Sequence, residues 1–130
     1  MNRPALALNI GVAVILVAAF FAVLQTVPAR GAERCQIVGD ASWYGHQFHG
    51  RTTRSGERFN QWAMTAAMPS KLNIGEYWRV TYRGKSVVVR INDTGAFAKY
   101  GRVIDLSRGA FGKLAPEGQG VIKRVCLERL

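Results

Sequence analysis

The sequence predicts an all-β fold, a small β-barrel of about six strands with one short helix. Three observations carry that expectation. Short apolar or alternating runs recur between glycine turns along the second part of the chain. Two of them flank Arg83-Gly84 at the spacing of a β-hairpin. Cys35 and Cys126 bracket nearly all of this region, and a bridge between them would set the first and last strands side by side.

The 130-residue chain opens differently. Met1-Asn2-Arg3 carries a positive charge, residues 10–24 are uninterrupted apolar sequence, and polarity returns at Gln25-Thr26. That is the tripartite shape of an export signal, too short in its apolar part for a typical membrane span. The small residues of Val27-Pro28-Ala29 predict cleavage after Ala29, so that 1–29 is a signal peptide and 30–130 the mature domain. An uncleaved anchor is the alternative. Export predicts the periplasm or the cell wall as the compartment, where Cys35 and Cys126 would pair as a disulfide.

Within the mature region, residues 36–38 and 41–44 lie either side of Gly39 and predict one bent strand. A polar, basic, glycine-rich loop follows over 45–60, and residues 62–67 read as a strand that ends at Pro69. Residues 77–82 alternate Trp78, Val80 and Tyr82 against Arg79 and Thr81, as a half-buried strand does. Its hairpin partner, 85–92, carries Val87-Val88-Val89 without alternation, which predicts burial on both faces. Residues 102–106 form a further strand. Ser107 is placed to cap a short helix through Leu114, with Ala110, Phe111 and Leu114 inward. Pro116-Glu117-Gly118 then turns the chain into a last strand over 121–127.

Charge narrows the partners. Arg3 is the only charged residue before Arg30, so the region from Arg30 holds 17 basic and 8 acidic residues, a net +9. A polyanion is the partner such a balance suits. Nucleic acid is set aside, because an exported protein rarely meets it; wall polymer bearing carboxylates or phosphates fits the compartment. No metal and no cofactor is expected, since His46 and His49 are the only histidines and no ligand spacing surrounds them.

Acids are scarce, and two stand out. Asp93 ends the apolar run Val87 to Asn92 and opens the glycine turn Thr94-Gly95. Glu57 lies in Ser55-Gly56-Glu57, a similar setting. The others have ordinary readings; Asp105, for one, stands where the helix should begin. Asp93 also reads as an Asx-turn carboxylate bonded to its own backbone. Asp93-Thr94-Gly95-Ala96 spells the aspartic-protease signature, but its late position and preceding Asn92 do not suit that family. A pair of acids beside aromatics suits a glycan: one carboxyl protonates the leaving oxygen and another stabilises or orients. Tyr44 and Phe48 in the loop region are the aromatics best placed to stack on sugars, whereas the alternation of Trp78 predicts core.

Ala41-Ser42-Trp43-Tyr44-Gly45, Phe48-His49-Gly50-Arg51-Thr52, Ser55-Gly56-Glu57, Met64-Thr65-Ala66-Ala67, Val88-Val89-Arg90-Ile91-Asn92-Asp93 and Arg102-Val103-Ile104-Asp105-Leu106-Ser107 occur in that order. Together they resemble the rare lipoprotein A (RlpA-like) family, from about Gly39 to Leu130. The resemblance implies a six-stranded double-psi β-barrel and peptidoglycan lytic transglycosylase activity on peptide-stripped glycan strands. It implies Asp93 as the catalytic acid/base and Glu57 as its assistant. Tyr44, Phe48, His49, Arg51, Met68, Arg90 and Asn92 are the candidate substrate contacts. A monomer is expected, with a wall or secretion-machinery protein as the further partner. Two positions depart from the family pattern: Met68 stands where active relatives carry histidine, and Thr94 where they carry arginine. The Met68 change motivates the alternative, an inactive wall-binding or expansin-like barrel.

Overall fold

The structure, a computed structural model, describes residues 34–130 and Asn2. The export-signal reading of 1–29 therefore lies outside the described region. No helix among the described residues is long and apolar enough to cross a membrane.

Six strands form as expected: β1 (Ile37–Tyr44), β2 (Thr65–Met68), β3 (Tyr77–Tyr82), β4 (Lys85–Thr94), β5 (Arg102–Ser107) and β6 (Val121–Arg129). They close into a barrel in the order β1-β5-β2-β4-β3-β6, with one helix, α1 (Arg108–Gly112), against it. β1 with β5 and β2 with β4 are parallel; the other neighbours are antiparallel. The β3–β4 hairpin turns through Arg83 and Gly84, at φ 44° and 79°. Positive φ at both turn residues matches the twist of the flanking strands, which is why glycine occupies one of them.

Cys35 and Cys126 are bonded, with Cα atoms 5.0 Å apart across 91 residues of sequence. Beside them Val38 pairs with Cys126, so the bridge sits where β6 closes the barrel against β1. Inside, Ile91, Ile104, Leu106, Phe111, Ile122 and Leu127 are fully buried. Trp78 belongs to the same core, as its alternation predicted.

Four expectations are corrected. Val87 and Val89 are buried but Val88 is 42 % exposed, so β4 is covered on one face only. Valine favours either face of a strand, and three in a row conceal the alternation that the barrel imposes. The strand expected over 62–67 starts only at Thr65. Asn60 holds the preceding residues in a turn, its Oδ1 accepting Trp62 N–H at 3.0 Å and its carbonyl Ala63 N–H at 3.1 Å. The helix ends at Gly112, although Leu114 is still buried through a further turn onto Phe111 O. Asp105 does not begin that helix either: it lies within β5.

Ser107 caps α1 as expected and does more. Its Oγ accepts Ala110 N–H at 3.1 Å and donates to the carbonyl of Ala63, fastening the helix start to the approach of β2. The side chain is fully buried. Ser107→Ala should therefore cost about 2 kcal/mol, one cap plus one acceptor left dry. A drop in the urea midpoint at unchanged slope is the result to look for; a midpoint that does not move refutes this account of the cap.

Candidate active site

Alternation along the strands sorts side chains into two sets. Ala41, Ile104, Leu106, Ala66 and Ile91 go to the core. Their neighbours Tyr44, Asp105, Ala67 and Asp93 line a cavity of about 190 Å³, together with Phe48, Thr94, Gly95 and Phe97. The register explains how residues so far apart in sequence meet. Ser42 on β1 pairs with Asp105 on β5, Asp105 pairs with Ala67 on β2, and Ala67 pairs with Asp93 on β4. One row thus crosses four strands, with a serine and two carboxyls on it and only a methyl group between the carboxyls. At the usual strand spacing the two aspartate Cα atoms are about 10 Å apart.

A bulge aims Asp93. Pairing runs from Ala66–Ile91 directly to Ala67–Asp93, so Asn92 is the extra residue on β4. The bulge re-phases the alternation, which lets Ile91 stay in the core while Asp93 enters the cavity. Asp93 Oδ1 accepts Thr94 N–H at 2.9 Å and Arg54 N–H at 3.0 Å. The expected local Asx-type bond is present, and a second bond ties the carboxylate to the basic loop. Among the described residues nothing donates to Oδ2.

Glu57 is fastened to the same strand. Asn92 Nδ2 donates to Oε1 at 2.6 Å, and Arg90 Nη2 lies 2.8 Å from Oε1 and 3.0 Å from Oε2. The Asn92 bond above all holds its carboxyl below the usual glutamate range; burial opposes it, and the bond and charge of Arg90 add to the lowering. Glu57 is thus a fixed anion and not a proton donor at neutral pH. Backbone bonds hold the loop in place: Ser55 N–H donates to Asn92 O at 3.1 Å.

Tyr44 stacks on Phe59, ring centroids 4.3 Å apart, and meets Phe48 edge-on at 5.9 Å. Its hydroxyl is buried without a hydrogen-bond partner. Burial, then the charges of Asp93, Asp105 and Glu57, push its ionisation far above the ordinary tyrosine value. It remains a neutral phenol, on a residue that lines the cavity. His49 has a holding role, its Nδ1 accepting Gln61 N–H at 3.1 Å. Arg51 is exposed, its guanidinium 5.6 Å from the Phe48 ring centre. Arg90 and Asn92 both serve Glu57. Met68 does not join these residues: it is 3 % exposed, belongs to the core, and lines a separate cavity with Pro69, Ala98 and Val103. As the neighbour of Ala67 on β2 it faces the other way.

Asp105 is the residue that the linear reading passed over. Its Oδ1 accepts from Ser42 Oγ at 2.8 Å, and that oxygen in turn accepts from Arg102 Nη1 at 2.7 Å. Burial raises its carboxyl above the usual aspartate range, opposed by Ser42 and Arg102 and reinforced by the charge of Asp93. A signal did exist, because Ile104 and Leu106 are inward and force Asp105 to the opposite face. Among the described residues no group of three or more His, Cys, Asp and Glu could hold a metal ion.

A closed six-stranded barrel with this crossover order and a carboxylate-lined cleft defines a double-psi β-barrel of the RlpA-like kind. The chain belongs to the lytic transglycolase family, whose model matches residues 36–126. It is 55 % identical over 85 residues to a probable endolytic peptidoglycan transglycosylase RlpA of Synechocystis, covering 64 % of this chain and 26 % of that protein. Over 104 residues it is 54 % identical to a like-named protein of Nostoc, covering 75 % and 28 %. The chain therefore spans about a quarter of the length of these relatives. In fold it resembles a Streptomyces papain inhibitor, at TM-score 0.60 and 23 % identity over 72 % of this chain and 93 % of that one. An expansin of Clavibacter michiganensis is similar at TM-score 0.60 and 22 % identity, over 72 % and 49 %.

Proposed function

We propose that this domain is an exported lytic transglycosylase that cleaves the MurNAc–GlcNAc bond of peptide-stripped peptidoglycan strands and leaves a 1,6-anhydro end. The observation that carries the reading is a cavity lined by Asp93 and the aromatics Tyr44 and Phe48, with Glu57 held as an anion by Asn92 and Arg90, on the strand that carries Asp93. The names of the RlpA relatives support peptidoglycan as the polymer. Stripped strands expose the lactyl carboxylates of muramic acid, which suit the basic loop with Arg51, Arg54 and Arg58 exposed.

The chemistry asks for few groups. A proton must reach the leaving oxygen, positive charge develops at the anomeric carbon, and the muramic C6 hydroxyl replaces water as the attacking group. Asp93 acts as acid and base in this scheme, and Glu57 stabilises the oxocarbenium-like charge as a fixed anion. Incubation of the protein with stripped strands, followed by mass spectrometry, tests the reading. Anhydro ends support it and reducing ends replace it with hydrolysis. No product, with the protein sedimenting on the strands, replaces it with the inactive binding barrel.

Glu57→Gln separates the two acids. Losing the anion should lower release on the order of 10²-fold, mostly in kcat. Stability should move by less than about 1 kcal/mol, because the Arg90 pair is partly exposed. Equal losses for Glu57→Gln and for removal of Asp93 would contradict an assisting role.

A further inference from the structure

We propose that Asp105 is a second catalytic carboxyl, which gives its proton to the leaving sugar oxygen across the cleft from Asp93. The inference rests on the transglycosylase reading and divides the acid/base work that one carboxyl would otherwise do twice. It stands on the cross-strand row. Asp105 and Asp93 each pair with Ala67, from opposite sides, and all three line the same cavity. Alanine leaves the space between the carboxyls open, and about 10 Å between backbones leaves room for a sugar bond between two acid side chains.

The two carboxyls are bound differently. Ser42 and, through it, Arg102 fix Oδ1 of Asp105, while among the described residues nothing donates to its Oδ2. That oxygen can carry a proton and present it. Asp93 is anchored by two backbone N–H groups at Oδ1, which leaves its own Oδ2 open as an acceptor. The titratable and charged groups around Asp105 are Arg102 on its own strand, Asp93 across β2 and Tyr44 on β1. Glu57 acts on the same Tyr44 phenol and is already anionic. Burial therefore favours the protonated form at Asp105, and the neighbouring carboxylate favours it further.

The step balances. The Asp105 proton passes to O4 of GlcNAc as the C1–O4 bond breaks and its electron pair moves to O4. The muramic C6 oxygen bonds C1, and its hydroxyl proton goes to the Asp93 carboxylate. Proton exchange with solvent then returns Asp93 to the anion and Asp105 to the acid, and no water is consumed.

A leaving group that needs no proton tests the division. On stripped strands Asp105→Asn should lose at least 10²-fold in kcat/KM. On a MurNAc glycoside of p-nitrophenol the same variant should stay within about tenfold of the parent protein, while Asp93→Asn loses both activities. Equal loss on both substrates for Asp105→Asn, or intact strand cleavage, overturns the proposal. A second measurement is independent of turnover: carboxyl-carbon NMR should show the Asp105 titration moving to lower pH when Asp93 is replaced by Asn. If the parent protein cleaves neither substrate, the transglycosylase reading fails, and an Asp105 titration unmoved by Asp93→Asn then removes the carboxyl pair as well. Stability adds a sign. A raised carboxyl binds its proton more tightly in the folded state, so stability falls as pH rises through the aspartate range. Asp105→Asn should accordingly raise Tm at pH 7 and lose that advantage in acid; a purely structural aspartate would give a lower Tm.

Discussion

Asp93→Asn is expected to reduce release of 1,6-anhydro-ended sugar products from stripped strands on the order of 10³-fold while leaving the melting temperature almost unchanged. Both halves of that result follow from geometry. Asparagine keeps an acceptor oxygen for the Thr94 and Arg54 amides, so the turn and its bond to the basic loop survive. It cannot take the C6 hydroxyl proton, and it cannot act as an acid. The loss should appear in kcat, with binding to insoluble strands retained, because the aromatic and basic contacts are untouched. Measured turnover on stripped strands, paired with sedimentation, checks both. Release at the parent rate would remove Asp93 from the mechanism. Loss of sedimentation together with turnover would make it a binding residue instead.

Removing the disulfide should have the largest effect on stability. Cross-linking residues 91 apart restricts the unfolded chain by about 4 kcal/mol in the chain-entropy account. For a domain of this size that corresponds to roughly 15–30 °C in Tm. The Cys35→Ser/Cys126→Ser double variant, or the parent protein melted with reductant, gives the measurement. The position of the bond sharpens the expectation. Cys126 lies in β6, which pairs with both β1 and β3 and so completes the barrel. Loss of the bridge should loosen that seam first, seen as early amide exchange at Val38 and Val125. A Tm within a few degrees of the parent would show that strand pairing alone closes the barrel.

Much of this fold is visible in the linear chain because its signals are local. The alternation of residues 77–82, the two-residue Arg83-Gly84 turn and the Ser107 cap each lie within a few residues of what they specify. Asp93 was legible for the same reason, since a strand running into a glycine turn is a short-range pattern. Val87 to Val89 misled because a run of valines satisfies both a buried and a half-exposed strand. Asp105 was misread because its place in the cavity depends on its neighbours in space. Nothing near it in sequence says that β5 lies between β1 and β2, or that β4 is the next strand along. Met68 shows the converse. The family pattern draws attention to the position, yet the pleat turns this side chain into the core, away from the carboxyls.

The sequence by itself determined the number and type of strands, the hairpin, the helix cap, the pairing of two cysteines and the choice of Asp93 and Glu57 as acids to watch. The tertiary structure decided which acids share a cavity. Period-two alternation assigns each side chain to a face, but register across β1-β5-β2-β4 is a long-range property, set by crossover connections and by the bulge at Asn92. That register brings Ser42, Asp105, Ala67 and Asp93 into one row. Two carboxyls 12 residues apart in the chain come to face each other across a single methyl group.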